Sequence, residues 1–297
     1  MSTKLSAEPQ KHISRASQIS ILYHSNCQDG FSAAWAAWKK FKDKADYIPV
    51  EHQLPPPELK DKVIYLLDFC YPIAAIKALA KNNKQIIIID HHATTEKTVE
   101  EFKRLNIPTI TTILDMSHSG SALAWQYFHP KTKIPKIIQH VEDSDLWLFK
   151  KPKTKEITMV LSMVPFTFKD WSLFAKKLET QKTCKQIIEK GSNLTDYENS
   201  LVQRVASKAV SVEFEGHKVS AVNSPIFISE IGHELVKRDP PFGIIWYKDG
   251  NKIKVSLRGN GSIDLTKIAE KYGGGGHKNA AGFKLKSNQK IPWKTLD

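Results

Sequence analysis

The sequence predicts an α/β fold: an N-terminal, mostly parallel sheet flanked by helices, then a helical connector and a smaller α/β C-terminal domain. Three observations lead there. From Ile19 onward, short β-rich runs alternate with stretches that read as helices, the pattern of strands that return in parallel. The unbroken run Ile86–Ile89 suits a strand buried on both faces. At 297 residues, the chain has room for two domains of roughly 150 residues each.

Residues 1–18 are polar and aperiodic and read as a mobile arm. Strands are predicted at Ile19–Tyr23, Tyr47–Val50, Val63–Leu67, Ile86–Ile89 and Thr109–Leu114, with helices at Phe31–Phe41, Ile73–Lys81, Thr95–Leu105 and Ser119–Tyr127. A mainly helical stretch runs from about Ile137 to Val210, with polar interruptions around Lys150–Lys155. Val212–Phe214 and Lys218–Ala221 then flank Glu215-Gly216-His217 as a hairpin, and Ile228–Arg238 reads as a helix. Gly243–Tyr247 and Lys252–Leu257 flank a turn containing Asp249-Gly250, a strong hairpin signal. The division expected is a first domain at 19–190, a helical connector at 191–210 and a second domain at 211–297.

Hydrophobic residues make up 41% and charged residues 25%, which excludes a fibrous or wholly disordered chain. No apolar run approaches the ~20 residues of a membrane span, and the opening twenty residues lack the apolar core of a secretory signal. Cys27, Cys70 and Cys184 are irregularly spaced and fit a reducing compartment, so a cytoplasmic location is expected. The net charge of +13 favours an anionic partner. A lysine-rich solvated surface accounts for it equally well.

Ionisable side chains concentrate after predicted strands, where open α/β sheets collect ligands. His24-Ser25-Asn26-Cys27-Gln28-Asp29-Gly30 follows the first strand, Asp68 closes the third, and Asp90-His91-His92 closes the fourth. Glu142-Asp143-Ser144-Asp145-Leu146-Trp147 lies in or just after a helical stretch. An isolated Asp there is usually a turn former or a helix cap. Several carboxylates and histidines sharing one sheet edge would repel one another unless cations sat between them, and this donor set suits Mn²⁺ or Mg²⁺, with Zn²⁺ or Fe²⁺ as alternatives. Far along the chain, Gly273-Gly274-Gly275-Gly276-His277-Lys278 would let an anion approach the backbone N–H groups, and Arg258 is a second candidate anion binder. A flexible linker is the bland alternative for the glycines. Trp35 and Trp38, at helical spacing, read as core and Pro55-Pro56-Pro57 as a stiff loop; His118 could cap a helix or touch substrate, with capping by the neighbouring serines Ser117 and Ser119 preferred.

These residues resemble those of the DHH–DHHA1 phosphoesterases, a superfamily of RecJ-like exonucleases, oligoribonucleases, cyclic-dinucleotide phosphodiesterases and phosphoadenosine-phosphate phosphatases. Asp90-His91-His92 matches the name-giving triplet. Gly274-Gly275-Gly276-His277 with Ala280-Ala281-Gly282 matches the signature of the C-terminal substrate-binding domain. The resemblance covers about residues 19 to 285. It implies a DHH catalytic domain, a DHHA1 domain and two divalent ions, Mn²⁺ first and Mg²⁺ or another metal as alternatives. Asp68 would bridge the ions, with His24 at one and Asp29, His91 and Asp143 at the other. Asp145 competes with Asp143, which is preferred for its offset from Trp147. His92 would face the substrate phosphate. Arg258 and the loop Gly273–His277 would grip the rest of the substrate across a cleft between the domains.

One departure stands out. Anchored on Asp29-Gly30, the chain has Cys27 where many members carry an Asp, and one residue fewer separates that position from His24. Cys27 is therefore a candidate ligand and also a candidate small buried side chain. The activity implied is hydrolysis of short oligonucleotides or dinucleotides to mononucleotides by attack of a metal-bound hydroxide. A nucleoside bisphosphate or polyphosphate phosphatase and a non-catalytic nucleotide-binding or nucleic-acid-binding protein are the alternatives. The partners expected are a short nucleic acid or nucleotide and no membrane, with a homodimer left open.

Overall fold

The computed structural model describes residues 17–51, 54–105 and 107–296, so the arm expected at 1–18 lies outside the described residues except for Ser17 and Gln18. The chain divides into two compact units, Met1–Thr195 and Asp196–Asp297.

The first unit runs β1 (Ile19–His24), α1 (Gln28–Phe41), β2 (Ala45–Val50), β3 (Val63–Leu67), α2 (Ile73–Asn82), β4 (Gln85–Asp90), α3 (Ala93–Leu105), β5 (Ile110–Leu114) and α4 (Gly120–Phe128). Four helices follow: α5 (Lys136–Asp145), α6 (Thr154–Leu161), α7 (Phe168–Glu179) and α8 (Gln181–Ala206). The five strands are all parallel, in the order β2-β1-β3-β4-β5. Alternate residues serve opposite faces. Ile21, Tyr23, Leu67, Ile87 and Ile89 join a core with Phe31, Trp35, Trp125, Val141 and Trp171 from the helices. Leu22, Ile64, Leu66, Ile86 and Ile88 pack with Ile76 and Leu79 of α2 and Phe102 of α3. Helices on both faces are why the isoleucine run has no polar interruption. Strand order reverses between β1 and β3, so their carboxyl ends flank the switch point where such sheets keep ligand crevices.

The second unit takes the last turns of α8, then β6 (Val210–Phe214), β7 (His217–Asn223), α9 (Ile228–Arg238), β8 (Phe242–Asp249), β9 (Lys252–Gly259), α10 (Leu265–Lys271), β10 (Gly275–His277), β11 (Ala280–Lys286) and β12 (Lys294–Thr295). Its seven-stranded sheet has the order β10-β11-β9-β8-β7-β6-β12, with β7 and β8 parallel and the other pairs antiparallel. One face packs Phe214, Phe242, Val255 and Phe283 against Leu265 and Ile268 of α10. The other packs Val222 and Ile245 against Ile231 and Leu235 of α9 and Val202 and Ala206 of α8.

Two expectations change. The helical stretch ends at Ala206 rather than Val210, because Val210 opens a strand by pairing with Ala221. The glycine run is not simply a loop: Gly275–His277 forms an edge strand on Ala280–Gly282. Among the described residues no helix is long and apolar enough to cross a membrane.

Candidate functional site

Three strand ends and three helices build the site. After β1 the left-handed turn at Asn26 (φ 54°) places Cys27 at the N-cap of α1 and Asp29 in its first turn. Asp68 follows β3 in the left-handed region (φ 63°) while its N–H still donates to Ile89 O at 2.9 Å, so the carboxylate leaves the strand as the backbone stays paired. A non-glycine residue held there is a strained arrangement typical of functional sites. Helix α4 brings Gly120 so close that a Cβ would lie 2.8 Å from Asp68 Oδ1 and 3.0 Å from Asp29 Oδ2. Ser121 N–H donates to Asp29 Oδ1 at 3.1 Å. Asp145 closes α5.

Asp68 lies between two histidines, with Oδ2 3.4 Å from His24 Nδ1 and Oδ1 3.2 Å from His91 Nε2. His91 Nε2 is also 3.6 Å from Asp145 Oδ2 and 3.9 Å from Asp29 Oδ2. Donor atoms thus gather in three overlapping groups, each within 4.8 Å: His24, Cys27 and Asp68; Asp68, His91 and His92; Asp29, His91 and Asp145. Asp90 is engaged elsewhere. Its buried carboxylate accepts from His91 N at 2.8 Å, from Thr95 Oγ1, and from His92 Nδ1 at 2.7 Å, which fixes the orientation of that ring.

The charge balance of the bare protein is unfavourable. Burial raises the Asp29 carboxyl, and the nearby Asp68 charge raises it further. Asp145 is pushed up to about 6 by burial and by Asp68, although 27% of its side chain meets solvent. Burial opposes the Asp68–His91 pair, yet contact wins. His24 and His91 hold Asp68 below the usual carboxylate range, and Asp68, Asp145 and Asp29 hold His91 up at about 9. Burial and the Asp68 and Asp29 charges push the Cys27 thiol up. Asp68 Oδ1 is buried, and among the described residues it meets the His91 ring at 3.2 Å without a well-aligned hydrogen bond. The protonated His91 ring beside it supplies positive charge in the bare protein, a role that a divalent cation can take over. This set of carboxylate, imidazole and thiol donors fits divalent metal ions.

Asp143, preferred as a ligand from the sequence, is not in the cluster. Its carboxylate accepts from Lys150 N at 2.8 Å, Lys151 N at 3.0 Å and Thr154 Oγ1 at 2.6 Å, pinning the turn that leads into α6. Asp145 occupies the place expected for it. The apolar spacing Ile138, Val141, Asp145 along α5 is the available signal, because it aligns Asp145 with the buried Ile138 and Val141. The helix α4 is capped, as expected, by a serine beside His118. Ser119 does so by accepting from Ala122 N, while His118 Nδ1 lies 2.7 Å from Glu142 Oε1.

In the second unit Arg258 donates to Ser229 Oγ from Nε at 3.3 Å and Nη2 at 3.1 Å, and to Leu257 O from Nη1 at 3.0 Å. Gly232 admits it, since a Cβ there would fall 2.5 Å from Arg258 Cγ. Arg258 pairs in register with Ala280, the partner of His277 in β10. Arg258 and the Gly275–His277 edge strand therefore lie in one sheet with β11 between them.

Relatives agree with this architecture. The uncharacterized protein R106 of Acanthamoeba polyphaga mimivirus is 30% identical, over 94% of this chain and 70% of its own length. Residues 200–292 match the DHHA1 domain family. Oligoribonuclease NrnB of Bacillus subtilis (strain 168) is 24% identical over 68% of this chain, which spans about half (53%) of that protein. The chain belongs to the DHH–DHHA1 family of phosphoesterases. Its fold is also that of the DHH domain of a member of the s1p family of ribosomal proteins, with a TM-score of 0.57 at 16% identity over 94% of this chain and 83% of that one.

Within the DHH domain, Asp90-His91-His92 divides its labour: His91 joins the cluster, and Asp90 anchors the backbone and orients His92. Cys27, the departure in the first motif, brings sulfur into the His24–Asp68 group. In the DHHA1 domain the glycines serve packing as much as access. A Cβ at Gly274 would lie 2.1 Å from Gly282 O, and one at Gly276 (φ 143°) 2.5 Å from Ala280 O, whereas Gly275 faces open space.

Proposed function

We propose that this protein is a divalent-metal-dependent phosphodiesterase that hydrolyses short oligonucleotides or dinucleotides to mononucleotides. One observation carries the proposal: the buried Asp29, Asp68 and His91 and the part-exposed Asp145 converge at the carboxyl ends of the strands. His24, Cys27 and Asp68 would hold one ion, and Asp68, Asp29, His91 and Asp145 the other, with Mn²⁺ the first candidate and Mg²⁺ the second. Such ions, when bound, supply positive charge to a phosphate and acidify coordinated water.

The chain's own groups do the remaining work. His92 is held above the usual histidine range by Asp90 and Asp68 against the effect of burial, so it can bring a proton toward charge developing on the phosphate. Asp90 keeps its ring in place. In the DHHA1 domain, Ser229 orients the Arg258 guanidinium as a fork suited to a phosphate, and His277 with the Gly274–Gly276 backbone edge would contact the rest of the substrate. The likeness to an oligoribonuclease supports a short RNA-like substrate.

The test is a substrate panel on the full-length protein: a labelled dinucleotide, a nucleoside bisphosphate and inorganic polyphosphate, each with Mn²⁺ or with a chelator. Mn²⁺-dependent release of mononucleotide is expected. Asp68→Asn should lower kcat/KM by at least about 10³-fold, the scale for removing a group that stabilises the transition state. Turnover of the bisphosphate or polyphosphate alone would replace the diesterase with a phosphatase, and tight dinucleotide binding without turnover would remove catalysis altogether.

A further inference from the structure

The donor groups on the two sides of Asp68 differ in one atom type. Asp29, His91 and Asp145 offer only nitrogen and oxygen, whereas the group on the β1 side offers His24 nitrogen, Asp68 oxygen and Cys27 sulfur, all within 4.8 Å of one another. Cys27 reaches this place through the turn at Asn26, which sets it at the N-cap of α1. Asp68 serves this group through Oδ2, 3.4 Å from His24 Nδ1, while its Oδ1 faces His91.

We propose that the His24–Cys27–Asp68 group is a mixed nitrogen, oxygen and sulfur site that binds a thiophilic divalent ion of the zinc class, so that the two metal sites differ in selectivity. This rests on the metal-dependent reading above and adds the identity of one ion. Thiolate donors select zinc-like ions, whereas carboxylate and water donors suit Mg²⁺ and Mn²⁺. On binding, the metal–sulfur bond forms, the S–H bond breaks, and the proton passes to solvent with no change of oxidation state. The Asp29–His91–Asp145 group keeps the harder ion. A mixture of Zn²⁺ and Mn²⁺ would then fill the centre with one of each.

Cobalt(II) is the probe, because its visible bands report binding with any donors and a near-ultraviolet sulfur-to-cobalt band reports a thiolate bond. Metal-stripped full-length protein is titrated anaerobically. The wild type should show both features, and Cys27→Ser should keep the visible bands and lose the charge-transfer band. The double variant Cys70→Ser/Cys184→Ser leaves Cys27 as the sole thiol in the chain and should retain the charge-transfer band, so the test survives a misfolded Cys27→Ser. Visible bands without the sulfur band in the wild type, or a sulfur band that persists in folded Cys27→Ser, would overturn the assignment while leaving the metal-dependent reading intact. Absence of cobalt binding by either feature would overturn both.

Discussion

Asp143 and Asp145 lie two positions apart on α5 and do different physical work. Asp143 accepts three hydrogen bonds from the turn after the helix, two of them from backbone N–H groups. Asp145 faces His91 and carries a carboxyl that resists ionisation. Substituting each should separate stability from activity. Asp143→Ala should destabilise the protein by about 2–4 kcal/mol, the cost of leaving charge-assisted donors unpaired, with the folded fraction still active. Asp145→Asn should leave the melting temperature of the metal-free chain unchanged or higher, because it removes like-charge repulsion, and should lower activity at least about 100-fold, beyond the loss expected for an outer partner of a ligand. Thermal melts and kcat/KM on both variants check the pair. The reverse pattern would restore Asp143 to the site.

At the scale of elements, the glycine run is a strand whose sequence hides it. Gly274 must pass within contact of Gly282 O and Phe283, while a Cβ added at Gly275 would meet nothing within 4 Å. Gly274→Ala should therefore destabilise the protein by about 1–3 kcal/mol through overpacking, and Gly275→Ala should stay within about 0.5 kcal/mol, as chemical denaturation would show. The hidden strand marks the boundary of what the sequence makes legible. The parallel sheet is readable because Ile86–Ile89 and its neighbours must be apolar on both faces, and α9 can be placed at Ile228–Arg238 from local pattern alone. Strand β10 is not, because glycine has low strand propensity and its pairing with Ala280–Gly282 is decided by close backbone approach across a turn. The same holds in the site. Residues at strand ends can be placed from strand position, but the choice between Asp143 and Asp145 depends on how α5 is rotated about its own axis.

For the whole molecule, the buried cluster ties stability to pH and to metal. His91 is held at about 9, above its ordinary 6.5, so the stability it contributes is complete below 6.5 and is lost as pH rises through 9. Asp145, raised from 3.8 to about 6, likewise gives its neutral-form stability below 3.8 and loses it through 6. The metal-free chain should thus melt at a lower temperature at pH 9 than at pH 6.5. Divalent ions compete with those protons, so the rise in melting temperature on adding Mn²⁺ should grow over the same interval. The most direct test of the cluster as a shared cation centre is calorimetric titration of divalent ions into the metal-free wild type and Asp68→Asn. Because Asp68 stands between His24 and His91, weakened binding at both sites together is the predicted result, and unchanged binding at either site would contradict the account.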